Sequence, residues 1–258
     1  MKIDYCTILT SKNEFPLLSL NLNSMKHYMG NSIQSVKISV PDDLEIIEFC
    51  KQFPVEVIVH PTYTQMLNHP GLKQAGFDCA NRMDKLVWSC ESDYVILSHL
   101  DIVWLQNPLG RITPLMNHGY AMMGIWPHGC TVVNRNVYKG CHHGFWPNGG
   151  WLGKVVHDDP LMVCLCGNTE GKGLTWWNRD SNHLTSNEKL VNIDGVDVGM
   201  LLTMEVQGYG YLFDVCQHEY HHIGGGSYHG LRAVGDEVIK EDINKQIELA
   251  LKRFKEFG

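Results

Sequence analysis

Asp93-Tyr94-Val95-Ile96-Leu97-Ser98-His99-Leu100-Asp101-Ile102-Val103-Trp104 is the stretch on which the reading of this chain turns. Its first half is an unbroken apolar run over residues 94–97, without polar alternation, which is the pattern of a strand covered on both faces in the middle of a parallel sheet. Its second half sets two potential metal ligands, His99 and Asp101, one residue apart where the strand runs out. At strand spacing both side chains point to the same side and can share one divalent cation. Open parallel sheets bind ligands beyond the carboxyl ends of their strands, so polar residues just past a strand are where chemistry is expected.

Toward the N-terminus, strands are predicted at residues 3–9, 36–40 and 55–59. Helical patterns separate them: one carrying Leu17, Leu18, Leu20 and Leu22, one at residues 45–52, and one around residues 80–90 that leads into the central strand. Such alternation predicts an α/β fold with a Rossmann-like, mostly parallel sheet flanked by helices. The polar residues past these strands are Thr10, Asn13, Asp42, Asp43 and His60. Toward the C-terminus, residues 140–180 are rich in Gly, Trp, Asn and His and lack periodicity, as binding loops do. A helix is predicted from Asp197 to residue 206, closed by Gly208 as its cap, then a strand at residues 209–215. Residues 236–254 set Ile239, Ile243, Ile247, Ala250 and Phe254 on one stripe of an amphipathic helix.

A chain of 258 residues, 44% hydrophobic, is expected to form one domain over residues 1–258 with a single sizeable core. Its 21 basic against 28 acidic residues give a net charge of -7, the wrong sign for a protein that wraps a nucleic-acid backbone. Nine cysteines form no CxxC pair and several sit in apolar runs, which predicts free thiols in a reducing, cytoplasmic setting. Neither a signal peptide nor a membrane span is expected from the apolar runs.

The order of apolar strand, acid-containing x-spaced pair, apolar residues and then Asn107-Pro108 resembles the GT-A glycosyltransferases, of a family-two-like kind, whose strand ends in Asp-x-Asp. His99 stands here in place of the first Asp, and imidazole is an acceptable ligand for manganese-like ions. The resemblance implies an enzyme of the GT-A type that moves a sugar from a nucleoside-diphosphate sugar to an acceptor hydroxyl, with Mn2+ or Mg2+ as cofactor. It implies a nucleotide-sugar-binding half over about residues 1–110, an irregular acceptor-side half over about 111–235, and the terminal helix at 236–258. The donor would meet Thr10, Asn13, Asp42, Asp43, Arg82, His99 and Gly225, and the cation would be held by His99, Asp101 and a late His. In His218-Glu219-Tyr220-His221-His222-Ile223-Gly224-Gly225-Gly226-Ser227, adjacent histidines of a strand face opposite ways, so one of them is expected to bind, His222 first and His221 second. The Gly-rich turn would let backbone amides approach phosphates.

Gly124-Ile125-Trp126 and Cys130-Thr131-Val132-Val133-Asn134-Arg135 are similar to the family's returning strand and the helix after it. Asp197, eleven residues before Gly208, is similar to the acid that opens the acceptor-side helix of inverting members and is the candidate general base, with Asp194 the fallback. An Asp at that position also caps a helix. Trp146, Trp151, Trp176 and Trp177 are, as a group, candidates for a sugar-stacking platform toward a glycan or small-molecule acceptor. Three other readings stay open: a viral-type glycosyltransferase acting on modified nucleic-acid bases, a sugar nucleotidyltransferase, and a non-catalytic carbohydrate-binding protein. Against the second, Thr10-Ser11-Lys12-Asn13 lacks the glycines with which such enzymes wrap phosphates after their first strand.

Overall fold

A computed structural model of the chain describes residues 1–60, 74–126, 130–141, 144–145, 200–212, 215–216, 218–223 and 237–257. In chain order these form β1 (Ile3–Ile8), α1 (Phe15–Met29), β2 (Ser35–Val40), α2 (Leu44–Cys50), β3 (Glu56–Val59), α3 (Gln74–Ser89), β4 (Tyr94–Ser98), β5 (Ile102–Trp104), α4 (Leu109–Asn117), β6 (Met122–Trp126), β7 (Cys130–Asn134), α5 (Arg135–Gly140), α6 (Met200–Val206), β8 (Tyr211–Leu212), β9 (Tyr220–His222) and α7 (Glu237–Phe257). The chain resolves into two compact units, one of Met1–Thr62, Lys85–Gly140 and Gly208–Gly258, the other of Tyr63–Asp84 and Cys141–Gln207.

The first unit is α/β. Its seven-stranded sheet runs β3-β2-β1-β4-β7-β6-β8, with β3, β2, β1 and β4 parallel and β7 antiparallel to both β4 and β6. β8 rejoins β6 in parallel. All five residues of β4 are buried and the strand is the middle one of the sheet, as its continuous apolar run predicts. β3 is the outer strand on one side, and Glu56 and Val59 face solvent there.

The helices cover this sheet for the reasons their sequences give. Leu17, Leu18, Leu20 and Leu22 of α1 are all buried in the core, together with Met25 and Met29. Asp43 opens α2 by accepting from the amides of Glu45 and Ile46 at 2.9 and 3.3 Å, and Asn134 does the same for α5 through the amides of Asn136 and Val137. The chain builds outward from β1 through β2 to β3, then returns so that β4 lies on the other side of β1. The carboxyl ends of β1 and β4 therefore flank a topological switch point, the place where open α/β sheets leave a crevice.

Two sequence expectations change near the end of the sheet. A helix closing at Gly208 gives way to a 3-10 turn over Gln207–Tyr209, and the left-handed residue is Gly210, at φ 87°. Of residues 209–215, Tyr211–Leu212 form the strand. An added Cβ at Gly210 would also press on Tyr120 at 3.3 Å, so both the dihedral and the space call for glycine there. No helix among the described residues is long and apolar enough to cross a membrane. Cys6, Cys50, Cys90, Cys130 and Cys216 are buried, as their apolar settings predict, and no disulfide joins cysteines among the described residues.

Within the second unit, Arg82 of α3 pairs with Asp78 one helical turn earlier, Nε to Oδ2 at 2.6 Å. The carboxylate of Asp84 accepts from the amide of Phe145 at 2.7 Å.

Candidate functional site

Where β4 ends, the chain does not continue as a strand. The carbonyl of His99 accepts from the amide of Ile102 at 3.3 Å and closes a turn through Leu100 and Asp101. The expectation that His99 and Asp101 share a side by strand alternation is therefore replaced: the pair sits on a turn that redirects the chain from the large sheet into β5. Asp101 is 1% exposed, whereas His99 is partly open to solvent.

Three elements lock this turn. Asn21, buried within the leucine stripe of α1, places its side-chain amide against the carbonyls of His99 and Ile102 at 3.1 and 2.8 Å and near Ser98 Oγ at 3.3 Å. Its own Oδ1 accepts from the Tyr5 hydroxyl at 3.0 Å, and that hydroxyl accepts from Trp104 Nε1 at 3.1 Å. Thr7 Oγ1 donates to the carbonyl of Ser98 at 2.7 Å, which ties the end of β1 to the end of β4. A buried polar side chain surrounded by partners in this way fixes one backbone geometry.

β5 pairs antiparallel with β9, matching Ile102 with His222, Val103 with His221 and Trp104 with Tyr220. The pairing is extended at both ends: Ile223 donates its amide to the carbonyl of Asp101 at 2.8 Å, and the carbonyl of Glu219 accepts from Leu105 and Gln106 at 2.8 and 3.2 Å. Glu219 is also held by Arg111 at 2.5 Å. The register brings His222 Nε2 to 3.2 Å from Asp101 Oδ2. His221 instead places Nδ1 2.8 Å from Arg253 Nη1. Its pKa is lowered by burial, then by the charges of Arg253 and His222, which suits a neutral ring accepting from the guanidinium. Of the two adjacent histidines, it is thus His222 that meets the motif.

A carboxylate oxygen and an imidazole nitrogen 3.2 Å apart fit neighbouring positions on one divalent ion, since ligands at about 2.1–2.2 Å and right angles lie roughly 3 Å from each other. Among the described residues, no group of three His, Cys, Asp or Glu side chains is assembled to hold a metal, so His99 does not join the pair as a third ligand in this structure.

Beside this pair lies a residue that the sequence reading passed over. Glu14 is 2% exposed, at the start of α1, and its Oε2 accepts from Thr10 N at 2.9 Å, Thr10 Oγ1 at 3.1 Å and Ser11 N at 3.0 Å. Burial pushes its carboxyl up to about 7, against the lowering effect of the hydrogen bonds from Thr10 and Ser11, and the charge of Asp101 adds to the rise. The Ser-x-x-Glu spacing of Ser11 and Glu14 is a capping box and was legible as such. Asn21 had no signal beyond being a polar residue inside an apolar stripe.

The other expected residues are placed as follows. Thr10 and Asn13 stand on the turn after β1, with Asn13 exposed and its amide donating to Ser11 Oγ at 3.3 Å. Asp42 is exposed past β2, whereas Asp43 is occupied in capping α2 and lies 3.8 Å from Lys12. Arg82, in the second unit, has its charge met by Asp78. Asp194, Asp197, Gly225, Trp146, Trp151, Trp176 and Trp177 lie outside the described residues.

No family model matches the sequence, and no curated protein matches it. Solved structures do match in chain path. Galactosyltransferase LgtC in complex with donor and acceptor sugar analogues is 9% identical, with 81% of this chain and 72% of that chain covered and a TM-score of 0.42. Glucosyl-3-phosphoglycerate synthase from Mycobacterium tuberculosis, in complex with Mn2+, uridine diphosphate and phosphoglyceric acid, is 10% identical over 61% of this chain and 65% of that chain, at 0.39. CMP:2-keto-3-deoxy-manno-octonic acid synthetase complexed with CTP is 9% identical over 64% of this chain and 86% of that chain, at 0.41. The chain spans just under two thirds of the second of these, and likenesses of this order carry no activity across.

Proposed function

We propose that this chain is a GT-A type glycosyltransferase that uses a nucleoside-diphosphate sugar and a divalent cation, with Asp101 and His222 as protein ligands of that cation. The observation that carries the reading is the meeting of a buried carboxylate and an imidazole nitrogen, 3.2 Å apart, at the switch point of a mostly parallel sheet. When bound, Mn2+ or Mg2+ supplies positive charge that stabilises the departing diphosphate.

The chain's own groups do the rest. The Asn21, Tyr5 and Trp104 network fixes the backbone of the turn that carries Asp101, at the carbonyls of His99 and Ile102, before any ligand arrives. Thr10 and Asn13 offer polar groups to the donor, and Asp42 offers an exposed carboxylate to its nucleoside. His99 is assigned to the donor side of the same turn. Asp197 is assigned the proton of the acceptor hydroxyl, and the turn at Gly225 the approach to phosphate; both assignments rest on their sequence settings. The acceptor is a hydroxyl of a glycan or small molecule.

Thermal unfolding in the presence of uridine or guanosine diphosphate, with and without Mn2+, tests the reading, because a ligand of the folded state alone raises the melting temperature. Wild-type protein is expected to gain several degrees only when nucleotide and metal are both present. Asp101→Ala should lose that increment and sugar transfer together. Full activity and an unchanged metal response in Asp101→Ala would overturn the proposal.

A further inference from the structure

We infer that Glu14 is a positioning residue for the nucleoside part of the donor, holding the turn after β1 so that Thr10 meets the ligand as a hydrogen-bond acceptor only. The inference rests on the reading of that turn as the donor side. A capping box needs one bond from the N-cap amide to the Glu carboxylate, and Ser11 N supplies it at 3.0 Å. The helix start does not require the other two. Thr10 N and Thr10 Oγ1 lie before the cap, yet both donate to the same Glu14 oxygen, at 2.9 and 3.1 Å. Burying a carboxylate to 2% exposure is costly unless it is well bonded, and here two of its three bonds go to Thr10, in the turn after β1, rather than to the helix.

This arrangement has a chemical consequence. A threonine hydroxyl has one proton, and in Thr10 it is directed at Glu14, so only lone pairs are left for a ligand. A lone pair repels a phosphate oxygen and suits a ribose hydroxyl or a ring N–H. The turn therefore favours the nucleoside over the diphosphate, and loosening it should reduce donor affinity without altering the phosphate site at Asp101.

Calorimetric binding of uridine diphosphate, guanosine diphosphate and inorganic pyrophosphate, each with Mn2+, separates the two contributions. Glu14→Ala removes the acceptor, and Glu14→Leu does so while filling the volume, so that it carries the test if the alanine variant melts too readily. Glu14→Gln keeps an acceptor oxygen. Glu48→Ala, an exposed residue paired with Lys51, is the control and should bind as wild type. The Ala and Leu variants are expected to lose about tenfold or more in affinity for the nucleoside diphosphate that wild type binds, while pyrophosphate stays within about threefold. Glu14→Gln should recover most of the nucleotide affinity. The inference is overturned if the Ala and Leu variants bind nucleotide as wild type does, if nucleotide and pyrophosphate weaken alike, or if Gln is no better than Ala. Wild-type protein that binds neither nucleoside diphosphate overturns the functional reading instead.

Discussion

At Glu14, burial and hydrogen bonding act against each other, and burial prevails: the carboxyl is pushed up to about 7 from an ordinary 4.5. The folded protein therefore holds this proton over a pH range in which the unfolded chain has lost it. The stability contributed is complete below about 4.5 and is lost as pH rises through 7, an effect of roughly 3 kcal/mol at most for a shift of this size. Urea midpoints measured from pH 5 to 8 should fall with pH more steeply in wild type than in Glu14→Gln, which has no proton to lose; parallel curves would mean that the site is solvated. Glu14 was available from the sequence as the last member of a capping box, but its burial was not, because burial is set by tertiary packing that a local capping pattern does not encode. His99 and Asp101 were singled out for the opposite reason. Metal-capable side chains at the end of a wholly apolar strand stand out without any tertiary knowledge.

Among the elements, those with long periodic patterns were legible and the short ones were not. The strands β1 to β4 and the leucine stripe of α1 fall within a residue or two of expectation, since a covered strand and an amphipathic helix each write their environment into several consecutive positions. β5 and β9 are three residues each, too short to show alternation, and they form only because each supplies the other's hydrogen bonds. That pairing is what brings His222 to Asp101; the meeting of the two was expected from the resemblance, whereas the strand pair that produces it was not legible. Alternation within β9 leads to a paired prediction. His222→Ala should abolish most of the Mn2+-dependent increment in melting temperature given by a nucleoside diphosphate. His221→Ala, which removes only a contact with Arg253 on the far side of the strand, should keep that increment and change stability by about 0.5 kcal/mol or less. Equal losses in the two variants would show that β9 acts as a unit and that His222 has no ligand role of its own.

For the whole molecule, the question is what couples the site to the stability of the sheet, and the answer lies in α7. Its stripe was predicted to pack on the body, and Ala250 is fully buried with Ile247 and Phe254 packed against the same core. Phe254 sets its ring edge-on to His27 and Tyr28 of α1, with centroids 5.6 and 6.2 Å away, and α7 also packs along β5. The last helix thus rests on the helix that carries Asn21 and on the strand that leaves Asp101, the two elements that fix the motif turn. Phe254→Ala removes apolar contact from a partly buried position and should cost roughly 1–3 kcal/mol, less than a fully buried aromatic would. Two-state urea unfolding should show a lower midpoint with an unchanged slope, because the denatured state gains no extra surface. Since Asn21 and the β5–β9 pairing remain in place, nucleotide and Mn2+ binding by the folded variant should stay within about threefold of wild type. A variant as stable as wild type would show that α7 does not belong to the core. One that keeps its stability yet loses metal-dependent binding would show that the helix acts on Asp101 directly, through β5, rather than by closing the fold around it.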